Sequence, residues 1–98
     1  MNIQAMMKQA QKLQSDMMKE KNKIDEEIFE GKSSLVKVKV KGTKEIIEVK
    51  IEKEQLEEDE IELLQDMIMI AVNDAMKQID KKTEDSLGKY TKGMPGLF

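Results

Sequence analysis

The chain has 98 residues, a formal charge of −3, and neither cysteine nor histidine. This length suits a single domain with a modest core. The missing residue types exclude a disulfide framework, the usual zinc sites and the Ser–His or Cys–His nucleophile pairs. These exclusions argue against an enzyme, and we expect no cofactor, no metal and no small-molecule substrate.

Charge is distributed unevenly along the chain. Residues 1–44 carry 10 lysines and 6 acids, whereas residues 45–98 carry 7 lysines and 14 acids. All 17 basic residues are lysine, and lysine's point charge suits a phosphate backbone better than bidentate base readout. A compositional bias of the genome would explain the lysines equally well. No apolar run reaches membrane-spanning length and the N-terminus is not a signal peptide, so we expect a cytoplasmic protein without membrane partners.

The first predicted helix runs from about Asn2 to about Ile24 and separates lysines from apolar residues. At about 100° per residue, its lysines fall within roughly one sixth of a turn. This lysine row consists of Lys8, Lys12, Lys19 and Lys23. The other side carries Ile3, Met6, Ala10, Leu13, Met17 and Ile24. The row predicts a surface that binds a polyanion. The alternative is an ordinary solvent-exposed face, because lysine is a good helix former.

Three segments with strand character follow. Glu26–Glu30 alternates weakly and ends at Gly31, Leu35–Lys41 alternates strictly, and Glu45–Ile51 is rich in β-branched residues. Gly42–Thr43 is predicted to be a two-residue turn in which the glycine supplies positive φ. The segments predict a two- or three-stranded antiparallel meander with one buried face and one basic face in water.

The basic face of the meander is a second candidate surface for a polyanion. It is formed by Lys37, Lys39 and Lys41, which alternate with valines. The alternative is that these lysines protect a sheet edge and keep the protein soluble.

The second predicted helix starts at the capping-box pair Asp59 and Glu62 and ends near Leu87, with Gly88 as its C′ residue. Met67–Val72 is apolar on all sides, so the helix must be covered on several sides. A second subunit would provide that cover through a homodimer; the alternative is a helix packed centrally in a monomer. The predicted dimer interface is Leu64, Met67, Ile68, Ala71, Val72 and Ala75. We assign residues 1–88 to one domain and residues 89–98 to an irregular tail.

Four short sequence blocks, taken in their order along the chain, resemble the YbaB/EbfC family of bacterial nucleoid-associated DNA-binding proteins. They are Met7–Gln14, Leu35–Gly42, Val72–Lys77 with Leu64 before it, and the closing Met94–Phe98. The resemblance implies an α+β subunit, a tweezer-like homodimer, and binding of double-stranded DNA with little sequence preference. It places the DNA-facing positions at Lys8 and Lys12, with Lys19 and Lys23 extending the same face. Many relatives carry glycines before the central strand, where this chain has Lys32, Ser33 and Ser34.

Two functions therefore compete. The leading hypothesis is a homodimeric nucleoid protein that binds duplex DNA through lysine–phosphate contacts and bridges, compacts or regulates it. The alternative is a non-enzymatic adaptor or chaperone-like protein that binds other proteins through methionine-rich apolar surfaces. Exposed Met7 and Met18 would favour the alternative.

Overall fold

The computed structural model describes residues 2–91 and shows an α+β fold, as predicted. Its elements in chain order are α1 (Ile3–Glu26), β1 (Ile28–Ser33), β2 (Val36–Lys41), β3 (Ile46–Ile51) and α2 (Glu60–Thr91). The strands form one antiparallel sheet in the order β1-β2-β3. The meander is therefore three-stranded, and its first strand begins two residues later than predicted and runs through Gly31.

Helix α1 has a packed base and a projecting arm. The Asn2 side chain accepts a hydrogen bond from the amide of Ala5 at 3.1 Å and caps the helix. Met17 and Ile24 are buried against the body, whereas every residue from 3 to 15 is exposed. We term residues 3–15 the α1 arm; thirteen helical residues extend about 20 Å.

The core lies between the sheet and α2. Val36, Val38 and Val40 of β2 are completely buried, as are Ala71 and Ala75 of α2. Small residues let the helix approach the sheet closely. A Cβ on Gly31 would collide with the carbonyl oxygen of Ala71 and lie 2.8 Å from the amide nitrogen of Ala75.

The outer edge of β1 is closed by side chains of α2. The Asp74 carboxylate accepts a hydrogen bond from the amide of Lys32 at 3.2 Å, and the Gln78 amide donates to the carbonyl of Glu30 at 2.8 Å. Because these backbone groups have partners, β1 does not present a free edge.

Strand β3 differs from the prediction of a sheet with one buried face. Val49 and Ile51 pair with buried valines of β2, yet they are 47% and 39% exposed, and Ile46 and Ile47 are similarly open. The physical reason is that α2 packs over β1 and β2 and leaves β3 beyond its edge.

The turn between β2 and β3 was predicted wrongly. Three residues lie between Lys41 and Glu45, which are joined by a hydrogen bond of 2.9 Å from the Lys41 amide to the Glu45 carbonyl. The positive φ of 73° belongs to Lys44 rather than to Gly42. The amide of Lys44 donates to the carbonyl of Lys41 at 2.8 Å, as expected for a turn followed by a left-handed residue. Gly42 is needed for another reason: a Cβ there would collide with the carbonyl of Ile24 at the base of α1.

Both ends of α2 also differ in detail from the prediction. The helix begins at Glu60, but the capping contact runs from the amide of Glu57 to the Glu60 carboxylate at 3.1 Å, in place of the predicted pair Asp59 and Glu62. At the other end the helix continues through Gly88 to Thr91 because Leu87 is buried and Tyr90 packs on the core. The first residues assigned to the irregular tail are thus helical, and residues 92–98 lie outside the described part of the chain. None of the helices between residues 2 and 91 is long and apolar enough to span a membrane.

Candidate nucleic-acid interface

The lysine row lies on the solvent side of α1. Met17 and Ile24 face the body, and the centre of the row is about 140° around the helix from them. The four ammonium groups are spread over 15 residues, or about 22 Å of helix. Lys8, Lys12, Lys19 and Lys23 are all exposed. The helix therefore presents a straight cationic line away from the core.

Most of the row has no acidic partner. Lys23 lies 3.8 Å from the Glu20 carboxylate, and within residues 2–91 no ion pair is formed by Lys8, Lys12 or Lys19. The α1 arm contains two lysines and no acid. Its positive charge is therefore available to an external anion.

The lysines of the sheet are placed differently. Lys37 lies 2.9 Å from Glu52, and Lys39 lies 3.3 Å from Glu48. The hydrogen bond between Lys37 and Glu52 raises the pKa of Lys37 and lowers the pKa of the Glu52 carboxyl. Lys41 is half-buried at the end of β2. Two of the three predicted sheet lysines are thus already compensated, which weakens this face as an anion site relative to the α1 row.

The sheet register also reveals two lysines that the sequence reasoning missed. Lys32 and Lys50 lie directly beside Lys37 on the neighbouring strands. Their separation along the chain hid this proximity, because only the strand pairing shows which residues are neighbours. Like charges side by side repel each other, and the Lys37–Glu52 pair relieves part of that repulsion.

The residues predicted to form the dimer interface divide into two groups. Ala71 and Ala75 are completely buried within the subunit, against β1, so they pack the core of one chain. The others are only partly buried at the margin of the core: Leu64, Met67, Ile68 and Val72. Met69 and Ile70 between them are 57% and 56% exposed. An apolar surface thus remains open along the first half of α2.

The α1 arm thus carries two exposed lysines without acidic partners among the described residues, and the comparisons with known proteins identify the family. The chain belongs to the YbaB/EbfC DNA-binding family, whose family model matches residues 1–94. It is 42% identical to a nucleoid-associated protein of Ligilactobacillus salivarius, over 99% of this chain and 95% of that protein. It is 41% identical to one of Enterococcus faecalis, over 98% and 94% of the two chains. A nucleoid-associated protein of Lactococcus lactis is 46% identical over 97% of this chain and 98% of its own length.

Proposed function

We propose that this protein is a non-enzymatic nucleoid component that binds double-stranded DNA by laying the lysine row of α1 along the phosphate backbone. The observation that carries the proposal is the contrast between the two lysine surfaces. The α1 row is largely unpaired and two of its lysines, Lys8 and Lys12, lie on the projecting arm, whereas Lys37 and Lys39 form ion pairs with carboxylates. Point charges without arginine favour backbone contacts over base readout, so sequence preference is weak.

The acidic remainder of the chain supports this orientation. Residues 45–98 carry twice as many acids as lysines, and the β3–α2 connection and the start of α2 are especially acidic. These regions repel DNA, whereas the α1 arm attracts it. The protein therefore approaches DNA with the arm first, despite its net charge of −3.

The proposal includes a homodimer. The exposed and half-buried apolar residues of α2 need a cover that the described part of the chain does not provide. A two-fold dimer doubles the lysine row to about eight charges and allows two arms to contact one duplex or bridge two. Bridging of this kind would compact DNA in the nucleoid.

The test is fluorescence anisotropy with a labelled duplex of ~30 bp at ~50 and ~200 mM salt. Affinity should fall by orders of magnitude between the two salt concentrations. Replacing all four row lysines by glutamine should reduce the slope of log K against log salt by up to about 7 for a dimer. The matched control is K37Q/K39Q, which removes paired lysines and should change the slope by much less. No binding at the lower salt would refute the proposal.

A second candidate function rests on a specific observation. Met7 and Met18 are 57% and 45% exposed, and Met6 and Leu13 on the arm are open as well. Flexible methionines on a projecting helix suit an adaptable apolar contact with other proteins. Strong binding of a hydrophobic dye to the folded protein, together with salt-insensitive or absent DNA binding, would favour this adaptor or chaperone-like role.

A further inference from the structure

The α1 arm carries an apolar stripe that no other part of residues 2–91 covers. Its members are spaced by three and four residues: Ile3, Met6, Ala10 and Leu13. We term these four residues the arm stripe. Ile3 is 68% exposed, Met6 57% and Leu13 46%, and Ala10 is exposed as well. Apolar residues with this heptad spacing form the seam between two packed helices.

The arm stripe continues a helix–helix contact that exists inside the subunit. Met17 follows Leu13 at the same spacing, and Ile24 follows one heptad later. Both residues are buried where α1 packs on α2. Tyr90, near the end of α2, lines a groove together with Asp16. Within the described residues, α2 therefore accompanies α1 only as far as residue 16, and the arm begins where this cover stops.

We propose that the arm stripe packs antiparallel against the arm stripe of a second copy of the chain, bound to a different segment of DNA. The inference rests on the proposed function, because it assigns the bridge between two duplexes to a pair of arms. In the register that we infer, Ile3 of each copy lies against Leu13 of the other, and Met6 lies against Ala10.

Side-chain size favours the antiparallel direction. It places the small Ala10 opposite the long Met6, so the two helices remain evenly spaced along the seam. A parallel pair would place Ala10 opposite Ala10 and Met6 opposite Met6, which leaves a gap at one layer and crowds the next.

The length of the arm favours the same direction. In the antiparallel register Ile3 of the second copy ends beside Leu13, one step before Met17, where the body of the first copy covers the seam. The exposed seam and the second arm therefore have equal lengths. A parallel partner would bring its own body to the same end, where α2 already occupies the space beside α1.

The charges of the arm are compatible with this pairing. The residues that flank the stripe are uncharged: Met7, Gln9 and Gln14. Lys8 and Lys12 are centred about 160° around the helix from the stripe. The pair therefore buries no lysine, and its two lysine rows face away from each other. Each row can contact its own duplex, which makes the paired arms a bridge.

The size of the contact indicates when it forms. Each arm contributes four apolar side chains, which is much less than the 20–30 residues per partner of a standard stable interface, roughly 1,200–2,000 Å² in total. Pairing is therefore weak between free molecules. DNA that carries several bound copies raises their local concentration and favours pairing. The number of bridges should then increase with the density of protein on DNA.

Cysteine pairs test the register, because the chain has no cysteine of its own. Residue 3 of one copy faces residue 13 of the other, whereas each of these residues lies about 15 Å from its own counterpart. An equimolar mixture of Ile3→Cys and Leu13→Cys on a long duplex, treated with a bismaleimide of shorter reach, should give crosslinked pairs on a denaturing gel. The matched control is Gln4→Cys mixed with Ser15→Cys, because these exposed residues lie on the lysine side of the arm.

Crosslinking of Ile3→Cys alone, or of Leu13→Cys alone, above the level of their mixture would show a parallel pair and overturn the proposal. A mixture that crosslinks no better than the control pair would overturn it as well.

An independent measurement is the capture of a second, labelled duplex by a duplex fixed to beads. The double variant M6Q/L13Q should capture at least about tenfold less of the second duplex, because the stripe loses its apolar contact. Glutamine keeps the helix propensity, and both replaced side chains lie outside the core. Affinity for a single duplex of ~30 bp at ~50 mM salt should stay within about twofold of the parent value, because the lysines are unchanged. Unchanged capture by M6Q/L13Q would contradict the proposal.

The same two assays separate this inference from the proposed function. If the parent protein binds a single duplex but captures no second one, the arm pair is eliminated and the lysine row remains. If it does not bind a single duplex, the proposed function fails first. Binding of the parent but not of M6Q/L13Q to vesicles of anionic lipid, with capture unchanged, would assign the stripe to a membrane surface and overturn the pairing.

Discussion

Replacement of Gly31 by alanine should be among the most destabilising single-methyl changes in this protein. Gly31 is buried in the middle of β1, and the added Cβ would meet backbone atoms of Ala71 and Ala75, which cannot rotate away. The helix must therefore move off the sheet. Overpacking of this kind costs about 1–3 kcal/mol.

The displacement also affects the closed edge of β1. The hydrogen bonds of Asp74 and Gln78 to β1 flank Gly31, and each is worth about 0.5–1.5 kcal/mol. The total loss in the free energy of unfolding is therefore about 2–6 kcal/mol. The free energy of unfolding of a typical domain is about 5–15 kcal/mol, so the loss is roughly a third of it. A loss of 2 kcal/mol alone should lower the Tm by about 8 °C or more.

Urea denaturation at fixed protomer concentration measures the effect, because the stability of a dimer depends on concentration. The matched control is Gly88→Ala, which lies inside α2 and where an added Cβ would meet no atom of residues 2–91 within 4 Å outside the backbone of its own helix. That change should stabilise the protein by about 0.5–1 kcal/mol.

If Gly31→Ala does not fold at all, Asp74→Ala still isolates the contribution of the hydrogen bond at the edge of β1, at about 0.5–1.5 kcal/mol. If the free energy of unfolding of Gly31→Ala lies within about 0.5 kcal/mol of the parent value, the close-packing argument is refuted, because an ordinary surface substitution has an effect of that size.

Three further changes follow from local geometry. Ser34 has a φ of 47°, so Ser34→Gly should stabilise the first hairpin by about 1 kcal/mol, seen by calorimetry, whereas the same change at Ser33 within β1 should not. Gly42→Ala should cost about 1–3 kcal/mol in urea denaturation because it pushes the turn away from the base of α1. Hydrogen bonds from Lys53 and from the Glu57 amide hold the pKa of the Glu60 carboxyl in the folded protein below its ordinary 4.5. The ionised carboxylate therefore stabilises the fold above pH 4.5, and this contribution is lost as the pH falls through the lowered pKa of the folded state. The Tm difference between the parent and Glu60→Gln should therefore be present at neutral pH and disappear in acid; a difference that persists there would contradict the assignment.

The parts of the fold that could be predicted from sequence are those set by local periodicity. The lysine row and its apolar opposite side define α1, and strict alternation defines β2, since both patterns reflect backbone geometry. The errors occur where distant segments meet. The sequence predicts Gly42 as a turn glycine, but a larger residue is excluded there because the Ile24 backbone packs against it. It predicts Gly88 as the end of α2, but the helix continues because Leu87 and Tyr90 pack on the core.

The candidate site shows the same division. Sequence periodicity identifies the exposed row on α1 and the lysines of β2 as a second candidate surface, but it does not show which lysines have acidic neighbours. Only the sheet register reveals that Lys39 has a carboxylate neighbour on β3, Glu48, and that Lys37 has one directly after β3, Glu52. Likewise, the spacing of Asp74 and Gln78 on α2 says nothing about β1 until the helix is placed beside that strand. Charge compensation is therefore a tertiary property, and it is what distinguishes one lysine surface from the other.

The salt dependence of the proposed DNA contact follows from where the charges lie on the chain. Contacts between the α1 row and phosphates would release counterions, so we expect their strength to fall steeply with ionic strength. The ion pairs of Lys37 and Lys39 are exposed, and such pairs contribute little to stability when they are screened. The core between the sheet and α2 consists of apolar side chains, so the fold should persist at salt concentrations that remove the protein from DNA. Loss of DNA binding at high salt with an unchanged circular-dichroism spectrum would therefore report the phosphate contacts, because unfolding would change both measurements together.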